Sequence, residues 1–210
     1  MSARTVPQAK TISTSNIRSD ILNDVFCKRR IHSDNKQQQR VREKLLHILL
    51  ELNVSQFEAL TALLLQSLAY EDVQIMRQTM PQRRSHKGRN SHGGYDLSAH
   101  SSTFSPSMTL VQTKQYKRPV SRRFVDELRG AMVRQSAQGG LLVTTSRFPV
   151  QAEFSARENA LLPITLIDGE RLLDLLFCFS LGVQQKQGEY GLRWRIDRSF
   201  FRRLIPADKK

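Results

Sequence analysis

The chain of 210 residues carries 33 lysines and arginines against 19 acidic residues, a formal net charge of +14. That length supports one domain with a substantial core of its own, and the charge points to a polyanion, nucleic acid ahead of an anionic lipid surface, because Lys and Arg contacts to phosphates release condensed counterions. Cys27 and Cys178 lie far apart with no CxxC; this suggests neither a disulfide framework nor a structural zinc site, and two reduced thiols in a cytoplasmic protein are expected. No run approaches the roughly 18 apolar residues of a membrane helix, and the N-terminus lacks the apolar segment of a signal peptide.

Residues 1–36 read as a flexible basic arm, polar up to Ser19, with an apolar patch at Ile21–Phe26 and the cluster Lys28-Arg29-Arg30. From Gln37 the pattern is helical: Val41, Leu45, Ile48, Leu49 and Leu52 recur at three- and four-residue steps. Ser55 with Glu58 three residues on has capping-box spacing and predicts a second helix to about Leu68, with Phe57, Leu60, Leu64 and Leu68 inward. Tyr70 to Met76 reads as a strand. Thr79 to His92 is a loop without an acidic residue, and its Arg83, Arg84, Lys87 and Arg89 favour contact with a polyanionic substrate. Asp96–Ala99 and Met108–Lys114 are the next two strands. Ser121 can cap a helix to about Ala137, with Val125, Leu128, Met132 and Val133 apolar; Leu141–Thr144 is a buried strand. A helix from Pro149 to about Asn159, a strand at Ile164–Ile167 and a helix from Glu170 to about Phe179 complete the core at residues 37–181. Residues 182–210 are expected as a basic tail. Three strands close in sequence suit an antiparallel meander and the later βα units parallel pairing, which gives a three-layer α/β/α sandwich with a mixed central sheet and an N-terminal helical extension.

The span from Gly93 to Lys114 carries the chemistry. Gly93-Gly94-Tyr95 delivers Asp96 to one strand, and the next strand carries Gln112 and Lys114, two apart and therefore on one face, with Val111 and Thr113 on the other. In a hairpin, an acidic oxygen, an amide oxygen and an ammonium converge, a set able to hold a hard divalent cation and position a water. Other residues offer less. His86 and His92 lack metal-ligand spacing, Gly139-Gly140 lacks the Lys of a phosphate loop, and Trp194 is better used closing the core than stacking on a base.

Taken together, Phe57-Glu58, Gly93-Gly94-Tyr95-Asp96, Val111-Gln112-Thr113-Lys114, Leu128-Arg129-Gly130-Ala131-Met132, Gly140 to Ser146, Ala152 and Leu166-Ile167-Asp168-Gly169 make the chain resemble, over roughly 54–176, the Mrr-like branch of the restriction endonuclease-like, PD-(D/E)xK nucleases. The resemblance implies a Mg²⁺-dependent (or Mn²⁺-dependent) DNA endonuclease working as a homodimer, in defence against foreign or modified DNA or in mobile-element processing. It implies Asp96, Glu58 and Gln112 as metal ligands and Lys114 as the catalytic lysine beside them. Lys117, Arg122 and Arg123 would join the basic loop in holding DNA. The sequence departs from the common signature at Gln112, where a carboxylate is usual, and at Tyr95, where a small aliphatic residue is more frequent. A structure-selective nuclease of Holliday-junction type and a DNA-binding module that has lost catalysis are the alternatives; an RNA-binding protein is disfavoured by the lack of an aromatic-rich strand.

Overall fold

The computed structural model describes residues 36–76, 93–101, 107–188 and 191–204. The N-terminal arm with Cys27 and the basic loop with Arg83, Arg84, Lys87 and Arg89 lie outside those residues. Helix α1 (Lys36–Glu51) buries Val41, Leu45 and Leu49, and α2 (Val54–Ser67) buries Phe57, Leu60, Leu64 and Leu65, the stripes their spacing dictates. The cap of α2 differs from expectation. Asn53, not Ser55, is the N-cap: its side chain accepts from Gln56 N at 2.8 Å, and Gln56 Oε1 accepts from Asn53 N at 3.0 Å. Asn caps as well as Ser, and this reciprocal box relieves Glu58 of the capping role its spacing suggested.

The strands β1 (Tyr70–Ile75), β2 (Leu97–Ser101), β3 (Met108–Lys114), β4 (Gly139–Thr144) and β5 (Ile164–Ile167) form one sheet in sequence order. Pairing is antiparallel from β1 to β3 and parallel from β3 to β5. The parallel steps are made by α3 (Arg122–Gln135) and α4 (Val150–Glu158), which cover one face over Leu110, Val125, Leu128, Met132, Leu142 and Ala152. The other face packs α1, α2 and α5 (Gly169–Cys178) over Leu97, Val111, Val143 and Ile167. The result is the three-layer α/β/α sandwich with a mixed sheet. Among the described residues no helix is long and apolar enough to cross a membrane.

Three expectations are corrected. The tail expected after Leu181 is folded as far as Leu204: β6 (Val183–Gly188) and β7 (Gly191–Ile196) form a hairpin, followed by α6 (Arg198–Arg203). Val183, Phe201 and Leu204 are buried in the α1 side of the core, and Trp194 meets Phe177 edge-on at 4.8 Å. The alternation that the sequence shows up to Ile196 is that of β7, and packing against α1 orders the segment. Val133 is 62 % exposed rather than inward, and Cys178 is disulfide-bonded rather than a free thiol.

Two polar joints tie the layers. Buried Arg42 of α1 reaches Asp174 at 2.7 Å and Glu170 at 2.6 Å on α5. Burial opposes its charge, yet these carboxylates outweigh it and hold the guanidinium above its ordinary value. Asp168-Gly169, prominent in the sequence, is the second joint. Asp168 caps α5 by accepting from Arg171 N at 2.8 Å, and Gly169 N donates to Ser146 O at 2.6 Å. A Cβ on Gly169 would lie 2.5 Å from Thr145 O, so Gly169→Ala forces backbone apart. It should cost about 1–3 kcal/mol, read as a lower urea midpoint at unchanged slope; an unchanged midpoint would show that β4 and α5 are not packed this tightly.

Candidate active site

The backbone of the site is set by glycine. Gly93 and Gly94 have φ of +69° and +102°, and a Cβ on Gly94 would sit 3.0 Å from the Glu127 carbonyl of α3. Conformation and contact both exclude a side chain there. Arg134 of α3 donates to Gly93 O, so the turn lies flat on α3 and hands Asp96 to the sheet. Asp96 N donates to Val111 O at 2.7 Å, and Asp96 O accepts from Met76 N at 2.8 Å. The antiparallel register pairs Leu97 with Val111, which sets Asp96 level with Gln112 one step further.

The side chains then meet from three elements. Asp96 Oδ2 accepts from both Thr113 N (2.7 Å) and Thr113 Oγ1 (2.9 Å). Gln112, 1 % exposed, has neither its Oε1 nor its Nε2 partnered among the described residues. Lys114, 5 % exposed, places Nζ 5.1 Å from the centroid of Phe124. Burial pushes the Lys114 ammonium down, and Asp96, Glu127 and Glu58 pull in the other direction without restoring it. Glu58, on α2 in the opposite layer, is pushed up to about 7 by burial first and by the charge of Asp96 second, with Lys114 opposing. Asp96, Glu58 and Lys114 thus share one electrostatic environment.

That environment suits a divalent cation. Two mutually repelling carboxylates, and on the neighbouring strand a buried amide oxygen with no donor among the described residues, are hard oxygen groups of the kind such a cation takes. Among the described residues no three His, Cys, Asp or Glu side chains cluster; the set is two carboxylates and an amide.

The described basic residues of interest stand on the loop after β3 and at the start of α3. Lys117 is exposed on the loop after β3, and that loop is pinned to the end of β4 by Thr145 Oγ1 donating to Tyr116 O (3.0 Å) and Ser146 Oγ to Lys117 O (3.4 Å). Arg122 and Arg123 stand on the first turn of α3, paired with Asp126 (3.2 Å) and Glu127 (2.7 Å) of their own helix. They must exchange those partners to meet a phosphate, whereas Lys117 has no ion pair among the described residues. Sequence reasoning passed over Thr113, Phe124 and Glu127. Thr113 was placed on the far face by strand alternation, and the other two read as ordinary helix residues; Phe124 and Glu127 stand three apart after a Gln-x-Lys strand, which was the one available signal.

A meander followed by βα units, with a glycine-delivered aspartate beside Gln-x-Lys on the third strand, defines a chain of the restriction endonuclease-like class. The sequence profile of the Mrr catalytic family, described as "Restriction endonuclease", matches residues 49–176, more than half of the chain. The chain belongs to the Mrr-type restriction endonuclease family. It is similar to the type IV methyl-directed restriction enzyme EcoKMrr of Escherichia coli (strain K12), with 28 % identity over 150 residues, which are 70 % of this chain and 45 % of that enzyme. It therefore spans less than half the length of that relative. Among solved structures it is similar to the MspJI restriction endonuclease in complex with a 27-mer oligonucleotide (17 % identity, TM-score 0.48, 80 % of this chain and 35 % of that one). It is also similar to the DNA modification-dependent restriction endonuclease AspBHI (18 % identity, TM-score 0.49, 81 % and 39 %).

Proposed function

We propose that the chain is a divalent-metal-dependent endodeoxyribonuclease, acting as a pair of copies because one site cuts one strand. The observation that carries this reading is the electrostatic coupling of Asp96, Glu58 and Lys114, with the buried, unpartnered amide of Gln112 two residues before Lys114 on β3. Mg²⁺ or Mn²⁺, when bound, supplies polarisation of the phosphate and charge for the leaving oxygen. The chain's own residues do the rest. Asp96, fixed by Thr113, would hold the cation with Glu58 and Gln112 Oε1, and Lys114 would orient the attacking water or neutralise charge on the phosphate. Gln112 contributes no charge, so a DNA phosphate would complete the negative set and couple metal binding to substrate.

Lys117, Arg122 and Arg123, with Arg83, Arg84, Lys87 and Arg89, contact the DNA backbone in this reading. Lys117→Ala should lower the slope of log affinity against log salt by about 0.9, one phosphate contact; an unchanged slope in a filter-binding salt series removes Lys117 from the interface.

The biological setting is defence against foreign or modified DNA, or mobile-element processing. The Escherichia coli relative is described as methyl-directed, so methylated DNA belongs among the substrates tested. The second reading, a DNA-binding module without catalysis, is favoured by the uncharged Gln112. Cleavage of methylated and unmethylated plasmid and of four-way junctions, with and without Mg²⁺, separates them. A wild type that binds all of these DNAs and nicks none is the binding module, and exclusive cutting of junctions selects the structure-selective alternative.

A further inference from the structure

The ammonium of Lys114 has an unusual support. Among the described residues Nζ makes no hydrogen bond or ion pair; what locates it is the face of Phe124, 5.1 Å to the centroid. Asp96, Glu58 and Glu127 act on it through their fields alone, and a field draws a flexible four-carbon side chain without fixing it. The ring, by contrast, is held. Phe124 sits on the first turn of α3, with its N donating to Ser121 O at 3.1 Å, and packs on the core beneath that helix. Tyr116 closes its outer side edge-on, with centroids 5.9 Å apart and planes at 64°. Tyr116 is itself pinned through its carbonyl by Thr145 and leaves 42 % of its surface exposed.

We propose that Phe124 is the positioning residue for Lys114. Its ring face seats the ammonium at the place where the scissile phosphate arrives, and Tyr116 braces the ring against the loop that carries Lys117. This rests on the reading of Lys114 as the catalytic lysine. A leucine at 124 would fill the core but offers no negative face to a cation; a tyrosine keeps that face.

The test uses the full chain as Phe124→Leu and Phe124→Tyr. With plasmid DNA and saturating Mg²⁺, Phe124→Leu should lower kcat about tenfold, the ~1.4 kcal/mol of a desolvated cation–π contact. KM and DNA affinity stay as in the wild type, and Phe124→Tyr restores the rate. A spectroscopic arm stands apart from catalysis. In ¹³C-lysine-labelled protein, the Lys114 ε-methylene protons, assigned by their loss in Lys114→Ala, should be shifted upfield by the ring and return to the ordinary position in Phe124→Leu. An unshifted wild-type signal overturns the proposal, as does a folded Phe124→Leu cutting at the wild-type rate. If the wild type cuts no DNA, the nuclease reading has failed, and the methylene shift alone then decides whether Phe124 seats Lys114.

Discussion

Asp96→Asn should leave the protein folded and DNA-bound while lowering its Mg²⁺-dependent cleavage rate by about 10³-fold. Losing the anionic ligand of a metal that supplies several kcal/mol of charge stabilisation is worth about 4 kcal/mol, and each 1.36 kcal/mol is a factor of ten. Asn is the informative replacement. Its amide oxygen can still accept from Thr113 N and Oγ1, which Asp96 Oδ2 holds at 2.7 and 2.9 Å. Asp96→Ala also orphans a backbone N–H in the sheet and adds about 1–3 kcal/mol of instability, so loss of activity there confuses chemistry with folding. Single-turnover plasmid nicking, with a thermal melt of each variant, is the measurement. An Asp96→Asn protein that nicks within tenfold of wild type would remove Asp96 from the metal and with it the proposed mechanism.

Much of this architecture was legible because its signals are local. The strand runs, the glycine pair and the helical stripes each lie within about ten residues, and the order of elements then dictates which strands pair antiparallel and which parallel. The placement of Asp96 beside the strand that bears Gln112 and Lys114 was legible for the same reason, since the turn before β2 and the strand β3 lie close in sequence. What failed depended on contacts across the fold. Alternation sends Thr113 away from Gln112 and Lys114, yet Asp96 lies one step beyond the paired residues of β2, where its carboxylate crosses to Thr113. The spacing of Ser55 and Glu58 was a genuine capping signal that Asn53 and Gln56, two residues earlier, took over. The hairpin of β6 and β7 has Gln-Gln-Lys-Gln at its centre, and no period in such a stretch reports that its ends pack on α1. Phe124 reads as an ordinary helix residue from sequence, and only the fold puts Lys114 over its ring.

Glu58 gives the second large effect, in which stability and activity move in opposite directions. Its folded value is about 7 against an ordinary 4.5, raised by burial and then by Asp96. Between those two values the folded chain binds the proton more tightly than the unfolded one, so metal-free stability falls as pH rises from about 4.5 to 7 and is level above. Because Glu58 is only half-buried, the full shift is discounted for solvent screening to about 1–2 kcal/mol. Glu58→Gln removes that cost, so the metal-free variant should be more stable than wild type by about that amount at pH 8 and equal to it at pH 4. A cation at Asp96 and Glu58 reverses the sign. It must displace the Glu58 proton, so wild-type Mg²⁺ affinity should rise about tenfold per unit up to pH 7 and then level. In Glu58→Gln both the pH dependence and most of the Mg²⁺-induced rise in melting temperature disappear, and cleavage falls with them. Melting curves across a Mg²⁺ series at pH 6 and pH 8 read both effects in one experiment. A variant that is stabilised without metal and still answers to Mg²⁺ as wild type does would leave Glu58 a strained carboxylate near the site and assign the cation to Asp96 and Gln112 alone.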